Sequence, residues 1–434
     1  MRQVAIIGGG ATGALTAINL LKRLGSSGQV ILCEPSETIG AGIAYGTSDP
    51  AHLLNLRATG MSLFPDDMDD YCKWLVSKGY FQREGVETAF SPRVYYREYI
   101  TEALNAARGQ SKAAFRVVRE TALGFEREGE GLKLLTTGAP IEADAYVLAL
   151  GHLPPRVPSG LEAIAGLPRY IGNPWKAGAL GVIGADDTVF IVGAGLTMVD
   201  QVMTLQRTGH RGRIIARSRR GFLPKVHQVN KPVRFELADL QRPNLFRHVR
   251  KLAREAGEDW RSVIDGIRPY TPTLWASLSP QERRRFLRRL VPYWDVHRHR
   301  IPPEASDVLE NLLNSGQLDP GAGSIRASSW DGNQLQIELS GPAAALSADW
   351  VINCTGPDAD WRSAKVPLLE SAISLGLAEY DELGLGIAVD KDGRTEPTGK
   401  LWALGPICKG TRWETIGVPE IRFQAIRVAE NLGG

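Results

Sequence analysis

Residues 4–13 read Val-Ala-Ile-Ile-Gly-Gly-Gly-Ala-Thr-Gly, an apolar run that ends in a cluster of glycines. Apolar residues then recur at helical spacing over residues 14–24, and a second apolar run follows at residues 30–33. Strand, glycine turn, helix and strand in this order predict a βαβ unit that opens a parallel sheet. The spacing Gly8-x-Gly10-x-x-Gly13 is typical of a dinucleotide-binding turn, in which glycines permit a tight bend and close approach of the backbone to a pyrophosphate.

The helix that follows this turn directs free N–H groups and a partial positive charge toward the phosphates, so Ala11 and Thr12 are also predicted to bind the cofactor. Glu34 ends the second strand, 21 residues after Gly13, where an acidic side chain hydrogen-bonds a ribose hydroxyl. Because a carboxylate here would repel a 2′-phosphate, the site favours FAD or NAD. A glycine-rich turn without a ligand is the alternative interpretation.

A second glycine turn follows the predicted strand at residues 188–192 and reads Gly193-Ala-Gly195-Leu-Thr197-Met198. Met198 replaces the third glycine, so we expect looser packing of the next helix. The following strand leads into Arg217-Ser-Arg219-Arg220, where an NAD site would carry an acid. Arginines pair with phosphate through bidentate hydrogen bonds. Gly193, Gly195, Thr197 and the three arginines therefore predict an NADPH site, with a solvated basic loop as the alternative.

Two dinucleotide sites in one chain imply that hydride passes from NADPH to FAD. Glycines after three other apolar strands, at Gly151, Gly356 and Gly405-Pro406, would let the chain pass close to a cofactor, although each is also an ordinary exit from a strand. The last helix is predicted from about Pro419, and Glu420 suits its first turn. Its N–H groups would stabilise negative charge on a reduced flavin.

The predicted fold class is α/β, with two Rossmann-like dinucleotide-binding domains and a helical insert. Residues 1–150 and 331–434 are assigned to the FAD-binding domain, and residues 151–330 to the NADPH-binding domain. The insert covers residues 234–318, which are rich in arginine, leucine and glutamate. The length of 434 residues is sufficient for several cores without disulfides.

Composition narrows the functional classes. The net charge of +3 argues against nucleic acid as the main partner. No apolar run approaches the length of a membrane span, and the first strand begins too early for a signal peptide. The four cysteines lie far apart, without a CxxC pair. A redox-active disulfide is therefore not expected. A cytoplasmic location is expected, since its reducing environment suits unpaired cysteines.

Taken in order, these residues resemble the flavoproteins with two dinucleotide-binding domains, and more closely the bacterial FAD/NAD(P)-binding family related to the ornithine and lysine N-hydroxylases. The resemblance also rests on residues 40–47, 52–55, 61–62, 65–66, 218–221, 293–300, 413–414 and 418–422. It implies that the Gly8–Gly13 turn and Glu34 hold FAD, and that residues 52–55, with His52 and Asn55, lie near the isoalloxazine. It also implies that residues 404–406 and the start of the last helix lie beside the flavin. Some members of this family resemble NADPH-dependent N-oxygenating monooxygenases.

The segment Tyr293-Trp-Asp-Val-His-Arg-His-Arg300 carries further titratable groups. Asp295, His297 and His299 would supply acid–base groups or line a substrate pocket, or would anchor the insert together with Trp294. No metal site is predicted, since neighbouring arginines would repel a cation and further ligands are missing. Lys225 and His227 would either touch the nicotinamide dinucleotide or form a polar loop. No catalytic residue is assigned.

Three functions remain open. The first is a monooxygenase in which NADPH reduces FAD and a flavin peroxide oxygenates a small amine or another heteroatom, with O2 as co-substrate. The second is an NADPH-dependent flavin reductase or dehydrogenase without oxygenation, and the third is a non-catalytic FAD-binding sensor. A homo-oligomer is compatible with each of them.

Overall fold

The computed structural model describes residues 2–129, 131–340, 345–395 and 399–433. It divides into two compact units. The first unit comprises residues 1–48, 56–153 and 359–434, and the second comprises residues 49–55 and 154–358.

The first unit contains two sheets and several helices. Its strands are β1 (Arg2–Ile7), β2 (Gly28–Cys33), β3 (Ala114–Val118), β4 (Ala122–Glu128), β5 (Gly131–Thr136), β6 (Ile141–Glu142), β7 (Ala145–Leu148) and β16 (Leu401–Ala403). Its helices are α1 (Ala11–Arg23), α2 (Gly42–Tyr45), α3 (Asp70–Ser77), α4 (Arg93–Gln110), α13 (Trp361–Ala364), α14 (Pro367–Ser374) and α15 (Val418–Gly433).

Five strands of the first unit form a parallel sheet in the order β16-β7-β1-β2-β3. All four residues of β7 are buried, as expected for a strand covered on both faces. Ile7 at the end of β1 pairs with Cys33 on β2 and with Leu148 on β7, and Leu148 pairs with Ala403 on β16. The carboxyl ends of these four strands therefore meet at one edge of the sheet.

The second unit has the same plan. Its strands are β8 (Tyr170–Ile171), β9 (Val189–Val192), β10 (Ile214–Ser218), β11 (Leu318–Ala322), β12 (Ile325–Trp330), β13 (Leu335–Leu339), β14 (Ala345–Ala348) and β15 (Trp350–Asn353). The parallel order is β11-β10-β9-β15-β8, and β12, β13 and β14 form an antiparallel sheet. Helices α5 (Leu196–Arg207) and α12 (Pro303–Asn314) contribute buried residues to one core with these parallel strands.

The rest of the insert is helical, as predicted. It comprises α6 (Leu237–Leu240), α7 (Leu245–Glu255), α8 (Trp260–Ile267), α9 (Thr271–Ser277), α10 (Pro280–Arg289) and α11 (Val291–Arg298). These helices include a separate small core around Leu240, Val263, Ile267 and Leu274. The predicted insert was too long, because α12 buries Ala305, Leu309 and Leu312 against the parallel sheet.

The predicted domain boundary at residues 330/331 also differs from the structure, in which the second unit continues to Asp358. The reason is the pairing of β15 with β9 along its whole length, from Trp350 opposite Val189 to Asn353 opposite Val192. In addition, residues 49–55 belong to the second unit. Among the helices described here, none is long and apolar enough to cross a membrane.

Candidate functional site

The first glycine turn lies at the carboxyl edge of the first sheet, and its geometry requires two of its glycines. Gly8 has φ +101°, and a Cβ there would lie 2.4 Å from the carbonyl oxygen of Ala149, which follows β7. A Cβ on Gly13 would lie 1.9 Å from the carbonyl oxygen of Gly8. A side chain on Gly8 would therefore push the turn away from the exit of β7, and one on Gly13 would push α1 away from the turn.

Gly10 differs from its neighbours in the turn. A Cβ built on Gly10 would meet only Gly42 within 4 Å, at a closest distance of 3.4 Å, and its φ of −66° suits any residue. The fold therefore does not demand glycine at this position. The missing side chain leaves space beside the start of α1, as a bound pyrophosphate would require.

The N-terminus of α1 has neither a side-chain cap nor an acidic residue in its first turn, a combination that suits anion binding. Gly10 is its N-cap and supplies no side-chain hydrogen bond, and its first turn holds no acidic residue. Ala11 and Thr12 open the helix, and Ala14 N donates to the carbonyl oxygen of Gly10. Such N–H groups, together with the helix dipole, are a common phosphate-binding arrangement.

Glu34 stands beside this turn, as the sequence predicted. Its Oε2 accepts a hydrogen bond of 2.6 Å from Gly9 N, and its Oε1 accepts one of 2.9 Å from Ser36 N. These bonds fix the carboxylate at the end of β2, next to the glycines. Its predicted bond to a ribose hydroxyl stays a prediction.

Two more predicted glycines lie at the same edge. Gly151 follows β7 with φ +69°, and Gly405 follows β16 with φ +78°. A Cβ on Gly405 would lie 3.0 Å from the side chain of Thr12, so Gly405-Pro406 passes directly over the start of α1. The first sheet thus brings both strand exits to the Gly8–Gly13 turn.

The last helix is tied to this edge by a residue that the sequence analysis missed. Gln424 on α15 accepts a hydrogen bond of 3.1 Å from Gly405 N and donates one of 2.7 Å to Thr415 Oγ1. Glu420 lies in the first turn of α15, as predicted. In the sequence, the one signal for Gln424 is its position one helical turn after Glu420, which places both residues on the same face of the predicted helix.

The second glycine turn repeats the first at the edge of the second sheet. Gly193 has φ +107°, and a Cβ there would lie 2.3 Å from the carbonyl oxygen of Cys354, after β15. Gly195 is the N-cap of α5 and has nothing within 4 Å of its Cβ position. Thr197 lies in the first turn of α5, and Met198, fully buried, occupies the core where the first turn has Gly13.

Gly356 belongs to this second edge. The prediction grouped it with the FAD-binding domain, but Asn353 at the end of β15 pairs with Val192 at the end of β9. Gly356, with φ +82°, therefore follows a strand of the second unit. The assignment to the first domain was wrong because the pairing of β15 overrides its position in the chain.

Of the three predicted phosphate-binding arginines, Arg217 has another role. Its guanidinium donates to the carbonyl oxygen of Asp319 at 2.6 Å and to Asp319 Oδ2 at 3.1 Å. Its side chain is only 11% exposed. Arg217 therefore joins β10 to β11, and the prediction of a direct phosphate contact is not supported by these bonds.

Arg219 and Arg220 remain at the surface, directly after β10. Because Arg217 pairs with Val192, β10 ends at the same edge as the second glycine turn. Arg220 donates a hydrogen bond of 3.0 Å to the hydroxyl of Tyr293 and lies over its ring at 4.9 Å. Both arginines therefore follow the strand that ends beside the second glycine turn, and their contact with a 2′-phosphate stays a prediction.

We expect the double substitution Arg219→Ala and Arg220→Ala to raise the KM for NADPH by about 10- to 100-fold, because hydrogen bonds to a charged group contribute about 1.5–3 kcal/mol. The KM for NADH should change by less than about twofold. Steady-state flavin reduction with both dinucleotides measures this difference. Arg211→Ala, which removes an exposed pair with Asp186, is the matched control, and equal effects on both dinucleotides would contradict phosphate recognition.

Residues 52–55 are held within the second unit. The ring of His52 is buried, with Nε2 at 3.0 Å from the carbonyl oxygen of Asp200 and 2.8 Å from Thr204 Oγ1. The carbonyl oxygen of Asn55 lies 2.9 Å from His227 Nε2. His52 thus secures this segment to α5, and cofactor contacts by His52 and Asn55 stay predictions.

The thiols of this chain are poorly suited to redox exchange. All four cysteines are free and buried. Burial raises the pKa of Cys33 to about 11 and that of Cys408 to about 12. Because the thiolate is the reactive form, such thiols are inert near neutral pH. Among residues 2–129, 131–340, 345–395 and 399–433, no group of three His, Cys, Asp or Glu side chains could hold a metal ion.

His152, which follows Gly151, provides a pH-dependent contribution to stability. Burial and, secondly, the charge of Lys409 lower its pKa to about 4. The unfolded chain, with a histidine pKa of about 6.5, binds the proton first, so stability decreases as pH falls from about 6.5 to 4. We expect His152→Gln to remove about 2 kcal/mol of the loss in unfolding free energy between about pH 7 and 5. Denaturant unfolding at both pH values measures it, and an unchanged difference in the variant would refute this contribution.

Comparison with known proteins finds a family match for the N-terminal part of the chain. Residues 5–153 match the model of a family described as FAD-NAD(P)-binding. The uncharacterized protein YdhS of Escherichia coli is 23% identical over 222 residues, which are 47% of this chain and 39% of YdhS. The match therefore spans well under half of that relative.

Solved structures extend the similarity to the whole fold. A reduced-FAD, NADP+ and L-ornithine complex of the ornithine N-hydroxylase from Kutzneria superimposes with a TM-score of 0.69 at 14% identity, covering 100% of this chain and 99% of that one. The bacillithiol disulfide reductase of Staphylococcus aureus gives 0.58 at 15% identity, covering 99% and 98%. The predicted α/β fold with two dinucleotide-binding domains is confirmed, and the matched family description agrees with FAD and NAD(P) as cofactors.

Proposed function

We propose that this chain is an oxidoreductase that binds FAD in its first unit, takes hydride from NADPH bound in its second, and oxygenates a small amine or another heteroatom. The observation that carries the proposal is that the same glycine turn, followed by an uncapped helix, occurs in both parallel sheets. Each parallel sheet has a turn with a left-handed glycine, Gly8 or Gly193, against the neighbouring strand exit and an uncapped helix behind it. Open sheets bind nucleotides at this edge.

The residues of the first edge fit FAD. Gly10 leaves room for a pyrophosphate, and the uncapped start of α1 offers N–H donors to it. Glu34, already fixed by Gly9 and Ser36, would accept a bond from the adenosine ribose. Gly151 and the Gly405-Pro406 segment would line the cofactor without side chains in its way. The bound flavin would supply hydride acceptance and oxygen chemistry, which no amino-acid side chain can provide.

The residues of the second edge fit NADPH. Gly193 and Gly195 would let the pyrophosphate approach α5, as in the first unit. Arg219 and Arg220 are exposed at the end of the adjacent strand and would receive the 2′-phosphate. With both sites in one chain, NADPH would be the source of hydride and FAD its acceptor.

Oxygenation is favoured over disulfide reduction by the state of the cysteines. A disulfide reductase that works through its own dithiol needs an accessible thiolate, whereas all four thiols here are buried and none is paired. A reductase that delivers electrons without oxygenation is the second candidate, and the fold similarity to a bacillithiol disulfide reductase supports it. The O2 co-substrate and the amine belong to the first candidate only.

The two candidates differ in the fate of O2, which an oxygenase transfers in part to its substrate and a reductase without oxygenation does not. With FAD-loaded protein in air, NADPH consumption and hydrogen peroxide release are measured in parallel while a panel of small amines is added. An oxygenase is expected to release less peroxide than the NADPH it consumes when its substrate is present. Equal amounts with every amine would favour the reductase, and no NADPH consumption would leave only a non-catalytic FAD-binding role.

A further inference from the structure

The segment Tyr293–Arg300, which the dinucleotide sites do not use, ends in a buried group of cations. Arg300 follows α11, and its side chain is 2% exposed. Arg261 on α8 is also buried, at 8% exposure. Both guanidiniums lie by the ring of Trp260, with Cζ at 4.4 Å from its centroid for Arg261 and 5.9 Å for Arg300. One aromatic ring thus collects two positive charges below the protein surface.

The carboxylate of Asp265 lies near these two positive charges. Arg300 Nη2 pairs with Asp265 Oδ1, and Asp265 Oδ2 accepts a hydrogen bond of 2.9 Å from Asn230. Arg268 and Arg298 add further positive charge around Arg300. The Arg261–Arg300–Asp265 group therefore carries a net charge of +1, and a buried excess charge is costly unless it is paired.

Hydrogen-bond donors of the group are also unused. Arg300 Nε and Nη1 are buried and have no hydrogen-bond partner within the described part of the chain. Arg261 donates from Nε to the carbonyl oxygen of Val226 at 3.0 Å. Guanidinium groups in this state present paired N–H donors whose geometry matches the two oxygens of a carboxylate or phosphate.

The electrostatics agree with this geometry. Burial, and secondly the charge of Arg300, lowers the pKa of Arg261. Burial likewise lowers the pKa of Arg300, although Asp265 opposes the shift. A bound anion would remove the repulsion between the two guanidiniums and supply the missing acceptors.

We propose that Arg261 and Arg300 form a binding site for an oxyanion, a carboxylate or phosphate group of a small ligand, in the helical insert of the second unit. The group comes from one of two sources: the phosphate of a nucleotide such as NADPH, or the carboxylate of a separate small molecule. The nucleotide source rests on the proposed function, in which Arg219 and Arg220 receive the 2′-phosphate, whereas a site for inorganic phosphate or malonate does not. Dependence of binding on Arg261 therefore distinguishes failure of this site from failure of the proposed function.

The test is the dependence of thermal unfolding on anion concentration for the FAD-loaded protein. Inorganic phosphate, malonate, 2′,5′-ADP and 5′-AMP are titrated against sodium chloride of equal ionic strength, and the midpoints yield a Kd for each. Arg261→Gln is expected to weaken oxyanion binding at least about tenfold, the loss of about one charged hydrogen bond. Arg247→Gln, on the exposed face of α7, is the matched control and should bind as the parent does.

Two further variants keep the test decisive if Arg261→Gln fails to fold. Arg261→Lys retains the charge but loses the paired donors, so weaker binding is expected. Asp265→Asn removes the competing carboxylate, so tighter binding is expected. Arg261-dependent binding of 2′,5′-ADP but not of malonate would assign the site to a nucleotide phosphate, and the converse to a separate carboxylate. Equal anion dependence in the parent and all Arg261 variants, or none in the parent, would overturn the site.

Discussion

Replacing Gly10 by valine is expected to abolish FAD binding while the fold is retained. The backbone of Gly10 is in an ordinary region, and a Cβ there meets nothing closer than Gly42 at 3.4 Å. The valine would instead fill the space that a pyrophosphate must enter at the start of α1. We expect at least about a 100-fold weaker Kd for FAD, equivalent to about 2.7 kcal/mol. The purified variant should therefore be colourless.

The measurement is flavin content after purification, followed by FAD titration of the apoprotein. Gly25→Val is the matched control, because nothing lies within 4 Å of its Cβ position and it is remote from the turn in sequence. Circular dichroism of both variants should match that of the parent. Full flavin occupancy in Gly10→Val would show that FAD binds away from this turn.

Replacing Gly195 by valine is expected to remove NADPH binding and to leave FAD in place. Gly195 caps α5 with φ −90°, and its Cβ position has no neighbour within 4 Å. A side chain here costs the fold little, but it would occupy the approach of the second pyrophosphate. We expect the KM for NADPH to rise on the order of 100-fold, about 2.7 kcal/mol.

Flavin reduction by NADPH and by dithionite separates this effect from damage to the first unit. Gly195→Val should retain the parent's flavin content and its reduction by dithionite. Gly166→Val, another glycine of the second unit with an unobstructed Cβ position, should behave as the parent. An unchanged KM for NADPH in Gly195→Val would place the reductant's site away from α5.

Local patterns predicted the elements around both turns well. The glycine spacing of residues 8–13 and the acid at Glu34 are features of one short βαβ unit, and β1, α1 and β2 form it as expected. Part of this unit is encoded by neighbouring residues, because Gly13 is demanded by its contact with Gly8 inside the unit. Gly8, in contrast, is demanded by Ala149, which follows β7 and is distant in the chain.

Long-range pairing was not predictable in the same way. The position of Gly356 depends on β15 joining β9, about 160 residues earlier in the chain. The role of Arg217 depends on Asp319, which β11 brings beside it. No sequence spacing marks β9 as the partner of β15 or Asp319 as the partner of Arg217. The sequence alone therefore could not show that Arg217 is structural while Arg219 and Arg220 are exposed.

Anaerobic titration of the FAD-loaded protein with NADPH tests the central claim most directly, because it requires both dinucleotide sites to act together. Full loss of the oxidised-flavin absorbance at one NADPH per FAD is the predicted result, with Gly195→Val remaining oxidised at that ratio. A flavin that stays oxidised in the parent at saturating NADPH would contradict the claim that this chain transfers hydride between the two cofactors.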